Sequence, residues 1–291
     1  MSKQIKADIF LLFITAIWGS SFTLMKNVLH HIPSYAYLSL RFIIAAIVLM
    51  IIFHRKFKLL NRRVIVYGCV IGLMLFGGMA LQVTGLYYTT ASNSAFITGL
   101  NVVMVPVVSA LFLMKKPDIM SVTGVILAFG GLFFLSGGLN FHFNLGDFLT
   151  LLCAVCFTFQ IIFIDKFTSD QDPALLSVLQ IGFAAILYTG VWAADFKTVS
   201  FDKTLIITLL ITGVLGTALA FAGQTIVQRF TSPTHTALIF TAEPVFGAIF
   251  AVLIKDTQGK TETLTLTTIA GCLLILTGML ISESGMFKKH E

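Results

Sequence analysis

The sequence predicts an all-α membrane protein in which ten transmembrane helices form two inverted five-helix repeats. Three observations predict it: the scarcity of charge, the spacing of the charges present, and a match of the chain to itself. Of 291 residues, 57% are apolar and only 11% charged, with a mean hydropathy of +0.96. A soluble domain carries about 25% charged residues, so water cannot be the solvent of this surface. The net charge of +6 sits in short clusters between apolar runs. That distribution argues for membrane topology rather than a nucleic-acid face.

The charges mark the spans. Residues 64–114 contain no Asp, Glu, Lys or Arg. A straight helix of that length would reach roughly 75 Å, against a hydrocarbon layer of ~30 Å. The run must fold back once, and Tyr87-Tyr88-Thr89-Thr90-Ala91-Ser92-Asn93-Ser94 is the polar place to do so. Charge-free runs at 119–146, 174–194, 204–228 and 263–282 each fit one helix. The stretches 9–25, 34–53, 148–164 and 235–254 complete the ten. No small-x-small site closes the first span, so it reads as a retained helix rather than a signal peptide.

Lys and Arg set the orientation. With a cytoplasmic N-terminus, thirteen of them fall on inside ends and five on outside ends. Both termini are therefore expected in the cytoplasm. All four cysteines lie inside spans, and Cys153-Ala-Val-Cys156 has no second pair or histidine beside it. They read as small apolar helix residues, with no metal site.

The chain repeats. Thr89–Ile97 matches Thr231–Ile239 at an offset of 142, and Val105-Pro106-Val107 matches Glu243-Pro244-Val245 at 138. Gly124, Gly131 and Gly138 match Gly271, Gly278 and Gly285 at 147, and Asp8 and Trp18 fall on Asp147 and Phe157 at 139. The two units are expected at 1–140 and 141–291. Five spans per unit is an odd number, so the second unit enters the bilayer from the opposite side. Inverted repeats are typical of carriers, in which the halves exchange conformations.

The residues resemble those of EamA-type transporters of the drug/metabolite superfamily. The resemblance covers 8–285 and rests on Trp18-Gly19, the Pro-Val of the fourth span and Glu243-Pro244-Val245. The Thr231-Ser232-Pro233-Thr234-His235 turn and Gly271/Gly278 add to it. It implies an inner-membrane carrier, often an exporter, of amino acids or other small metabolites. Related small multidrug exporters couple protons through a Glu in the first span. This span has no acid beyond Asp8 at its entrance.

Glu243 is the one carboxylate near the middle of a span. Such an acid costs about 2.5–3.5 kcal/mol on insertion scales and must face the bundle interior or water. Pro244 cannot donate a hydrogen bond and frees the Phe240 carbonyl, while Pro106 is the corresponding expected helix break. The pair Glu243 and free carbonyl suits a cation or proton; a helix-end acid locking the halves together is the alternative. Arg41, the one base inside a span, could pair with Glu243, bind a substrate carboxylate, or snorkel to the outer surface.

Gln180 is the repeat counterpart of Arg41. Gln82, Asn101, Gln160 and Gln224 are amides at depth, which need partners across helices or in a wet cavity. Trp18 lies deep in its span, as a cavity wall, a cation platform or simple packing. Asn93 and His235 are expected to gate or cap.

The expected function is alternating-access transport of a small metabolite, in the outward direction, across the cytoplasmic membrane. No cofactor is expected. Partners are the substrate, a proton or another ion, and the bilayer, with the chain a monomer or homodimer. No phosphate-binding loop is present, so ATP does not drive it. A non-transporting receptor or scaffold is the alternative. An intramembrane enzyme fits less well, since the spans offer no H-E-x-x-H, second mid-span acid or histidine cluster.

Overall fold

The structure is a computed structural model that describes residues 3–29, 32–89, 91–135, 144–253 and 264–287; side chains at 22–27, 29, 91–93, 251 and 283–287 lie outside the described set. The described residues are helical, with no strand among them. In chain order the helices are α1 (Lys3–Leu29), α2 (Ser34–Ile52), α3 (Arg62–Gly85), α4 (Ala91–Gly99), α5 (Asn101–Phe112), α6 (Ile119–Leu135) and α7 (Leu145–Phe167). They continue with α8 (Pro173–Ala194), α9 (Lys203–Leu210), a π-helical segment (Ile211–Leu219), α10 (Ala220–Val227), α11 (Pro233–Phe240), α12 (Glu243–Leu253) and α13 (Leu266–Phe287). Six stretches have the length and apolarity to cross a membrane: Ser34–Ile52, Arg62–Gly85, Ser94–Phe112, Leu145–Phe167, Pro173–Ala194 and Lys203–Phe230. Ile119–Leu135 and Leu266–Ser282 are shorter apolar helices.

Helix starts follow local capping chemistry. Asn61 accepts from the Val64 amide, Asp172 from Leu175, Asp202 from Leu205 and Ser232 from His235. Each satisfies an amide that the first turn leaves without a partner. Asn144 and Asp147 form a reciprocal capping box at the start of α7. Pro173 and Pro233 occupy first helical positions, where a missing N–H costs nothing.

The faces divide by solvent. Tyr37, Phe42, Leu75, Ile161 and Tyr188 are fully buried. Ile51, Leu111, Ile126, Ile186 and Leu280 are each more than 60% exposed, a pattern suited to lipid. The tightest helix pair is α6 with α13. A Cβ on Gly124 would fall 2.5 Å from the Gly278 carbonyl oxygen, and one on Gly131 the same distance from that of Gly271. Only glycine lets these backbones approach so closely.

Two helix interruptions position the site. Between α4 and α5 the Leu100 amide donates to Ile97 O, and between α11 and α12 the Ala242 amide donates to Ile239 O, both at 3.1 Å. Met104 to Leu100 and Phe246 to Ala242 repeat the match. Every one of these atoms has its counterpart 142 residues on, so the first residues of α5 and α12, Asn101 and Glu243, correspond. The proline-based alignment had set Val105 opposite Glu243. Pro106 instead lies inside α5, and Pro244 is the second residue of α12; both follow the interruption they were expected to create. The four-residue difference therefore accumulates after the interruption, not before it.

Candidate functional site

The π segment shapes the centre. Its wider turn is visible where Thr217 Oγ1 donates to Thr212 O, five residues back, at 2.9 Å. A π turn loosens the regular ladder and presents carbonyls sideways. Here the Gly216 carbonyl accepts from Trp18 Nε1 at 2.9 Å and from Arg41 Nη2 at 3.1 Å. Arg41 Nε donates to Thr217 Oγ1 at 2.5 Å. A Cβ at 216 would sit 3.2 Å from the guanidinium and 3.3 Å from Ser21 Oγ, so any larger residue there would press on both side chains. Arg41 is 3% exposed, so its charge is held inside the bundle rather than snorkelled to the surface.

Trp18 carries the site from α2 and the π segment towards α11. Its ring packs on Phe221 at 5.1 Å and Phe240 at 5.0 Å, centroid to centroid. One residue on, a Cβ at Gly19 would fall 2.8 Å from Glu243 O and 2.7 Å from Phe246 Cβ. The backbone of α12 thus lies directly against α1 at the carboxylate-bearing residue. Glu243 keeps partial exposure while its neighbours Thr241 and Ala242 are buried. The Arg41 guanidinium stands close enough for its charge to act on the carboxylate.

The amides form two groups. Gln160 and Gln224 exchange hydrogen bonds at 3.4 and 3.1 Å, Gln224 also donates to Gln228 Oε1, and Gln228 donates to Ile161 O at 2.7 Å. Gln180 Nε2 donates to Thr225 Oγ1 at 2.6 Å. These are cross-links from α7 and α8 to α10 and to the 3-10 turn Gln228–Phe230 that follows it. Gln82 Nε2 reaches Thr98 Oγ1 at 3.4 Å, a weaker contact on a half-buried residue. Asn101 is buried at the head of α5.

His235 lies elsewhere. Its Nε2 is 2.9 Å from Ser121 Oγ and 3.3 Å from Ser282 Oγ, tying α11 to the α6–α13 pair. Asn93 falls in α4, and its side chain lies outside the described residues. Among the described residues no group of three or more His, Cys, Asp or Glu side chains could hold a metal. The reading from sequence missed Thr217, Thr98, Thr225 and Gln228, and took Gly216 only as a small residue for helix packing. Glycine and threonine within a charge-free span were the available signal.

The arrangement sets Trp18 and Arg41 on the Gly216 carbonyl, with Glu243 at the neighbouring contact of α12 on Gly19. It sets a fixed cation and a carboxylate beside an aromatic wall, a combination able to hold a small polar molecule by both its charges.

Comparison with known proteins agrees. The model of the EamA-like transporter family matches twice, over residues 5–137 and 144–283. An uncharacterized transporter of Archaeoglobus fulgidus is 34% identical, over 96% of this chain and 86% of its own length. The uncharacterized transporter YvbV of Bacillus subtilis is 27% identical over 94% and 90%. A protein of Escherichia coli named "probable amino-acid metabolite efflux pump" is 24% identical over 97% and 96%. A solved crystal structure shares the fold with a TM-score of 0.78 and 17% identity, over 95% of this chain and 96% of that one. A charge-poor helical bundle matched along nearly its whole length by one family leaves a single assignment: this multi-pass membrane chain belongs to the EamA-like transporter family.

Proposed function

We propose that the chain is a secondary transporter that exports a small amino-acid-like metabolite across the cytoplasmic membrane. Its ten helical passages would form two inverted units, 1–140 and 141–291, working by alternating access. The observation that carries this reading is a set of contacts that map onto one another when the halves are exchanged. Gly124 on Gly278 becomes Gly271 on Gly131. Trp18 on Gly216 becomes Phe157 on Gly78, and Phe10 on Gly223 becomes Leu149 on Gly85. Contacts that interchange in this way are what a two-fold axis between the halves produces. The α6–α13 glycine pairs run in opposite chain directions, as an axis in the membrane plane requires.

Arg41 and Glu243 favour a substrate with both a carboxylate and an ammonium group. The name of the Escherichia coli relative points to the same chemical class. The excess of Lys and Arg on the inside loops supports cytoplasmic termini.

The test is flux through reconstituted proteoliposomes, with amino acids, amines and purines supplied in turn. Amino-acid flux by the native chain, abolished in Glu243→Gln while the purified variant keeps its melting temperature, supports the reading. Undiminished flux in Glu243→Gln removes that residue from the mechanism, and silence across all substrates favours the receptor alternative.

A further inference from the structure

Asp8 carries a charge the central site does not use. It lies near the start of α1, is 7% exposed, and among the described residues neither carboxyl oxygen has a hydrogen-bond partner. The Thr231 hydroxyl stands beside it, buried, and its oxygen also lacks a partner. Three oxygens are thus gathered away from water with no N–H directed at them, which is costly unless the carboxyl takes up a proton or a cation joins them.

The repeat supplies a control within the same molecule. Asp147 and Thr89 are the counterparts of Asp8 and Thr231, at the opposite end of the bundle. There the contact is complete: Thr89 Oγ1 donates to Asp147 Oδ1 at 2.5 Å and the Asn144 amide to Oδ2 at 3.0 Å. The capping box satisfies one carboxylate, and nothing equivalent reaches the other.

Among the described residues, the helices packed on α1 place no ion-pair partner on Asp8. Their charged or titratable residues are Lys203 on α9, Arg229 beyond α10, His235 on α11 and Glu243 on α12, with Lys3, Lys6 and, towards its far end, Lys26 on α1 itself. None of them forms an ion pair with Asp8. Thr231 caps the 3-10 turn that ends the α10 passage, and a helix C-terminus carries partial negative charge from its last carbonyls.

We propose that Asp8 and Thr231, with the terminal carbonyls of the Gln228–Phe230 turn, form a sodium-ion site at the cytoplasmic end of the bundle. An all-oxygen set selects a hard cation, and a single carboxylate balances a single positive charge. Resting on the transporter reading, this site would supply the ion gradient with its handle on the protein. Closing the inner end would bring the Thr231 hydroxyl onto Asp8, as Thr89 is on Asp147, and expel the ion.

The experiment uses the full chain, purified in detergent, with sodium chloride exchanged for choline chloride at fixed pH and ionic strength. A ligand that binds only the folded state raises its melting temperature. Sodium should raise that of the native chain by several degrees, and of Asp147→Asn equally. Asp8→Asn should lose the response and melt higher in choline, since a buried unpaired charge is gone. Thr231→Val should weaken the response and Thr231→Ser retain it, which tests the site should Asp8→Asn fail to fold. Indifference of the native chain to sodium, an unchanged response in Asp8→Asn, or stabilisation by acid alone would overturn the proposal. The readout requires no flux, so a sodium response without transport would support the site and count against the transporter reading alone.

Discussion

The Trp18 indole nitrogen lies 2.9 Å from the carbonyl oxygen of Gly216, a residue 198 positions away in the chain. The bond fastens α1 to the π segment at the point where Arg41 also docks. Trp18→Phe would keep a ring against Phe221 and Phe240 but remove the donor. Loss of one such bond costs about 0.5–1.5 kcal/mol, whereas Trp18→Ala, which also empties the ring's place, should cost about 3–5 kcal/mol. Melting temperatures of the two variants in detergent check this order.

Glycine at the α6–α13 contact is a steric requirement. Gly131→Val should lower stability by at least about 1–3 kcal/mol, because the backbone opposite has no room to yield. Its neighbour Gly130 has nothing within 4 Å of a new Cβ. Gly130→Ala should be neutral or stabilising by about 0.4–1 kcal/mol through the unfolded chain. If both variants melt alike, the close approach of the two helices is wrong.

At the start of α8, Lys56 Nζ is 2.7 Å from Asp172 Oδ2. Partial burial pushes the Asp172 carboxyl up, but the Lys56 ammonium and the Leu175 and Ala174 amides outweigh it and hold the group below its ordinary value of 3.8. A depressed carboxyl contributes stability that is complete above the unfolded value and lost as the pH falls through the lower, folded value. The melting temperature of the native chain should therefore drop on acidification below 3.8. Asp172→Asn should melt lower at neutral pH and show a shallower acid dependence.

Gln160 and Gln224 should be coupled. A double-mutant cycle with Gln160→Ala and Gln224→Ala should give an interaction energy of about 0.6 kcal/mol, rising to roughly 1.7 kcal/mol if both bonds are strong. Strict additivity would mean that each amide finds other partners.

Much of this molecule was legible in the sequence. The fold-back at Tyr87–Ser94 lies where α3 gives way to α4, and the glycine repeat marks the α6–α13 seam. Trp18, Arg41 and Glu243 stood out because charge and indole are rare at such depth. Other features were hidden. Proline drew the alignment to Pro106 and Pro244, whereas helix geometry pairs Asn101 with Glu243 through a tightened turn that needs no proline. The π segment left no mark in hydropathy, since Ile211–Leu219 is apolar in either register. Gln228 was overlooked because it stands at the end of a span, beside Arg229, where a polar residue is ordinary.

The π segment acts as a phase shifter. A π turn takes up about one residue more than an α turn, and a helix turns about 100° for each residue, so rewinding Ile211–Leu219 as plain α-helix with no residue removed would swing everything after it by about that angle. Gln224, Thr225 and Gln228 would rotate off Gln160, Gln180 and the Ile161 carbonyl, while Lys203–Leu210 kept its orientation. Nine loosely wound residues thus allow the two ends of one passage to satisfy different neighbours, a compromise that a uniform α-helix of the same composition could not reach.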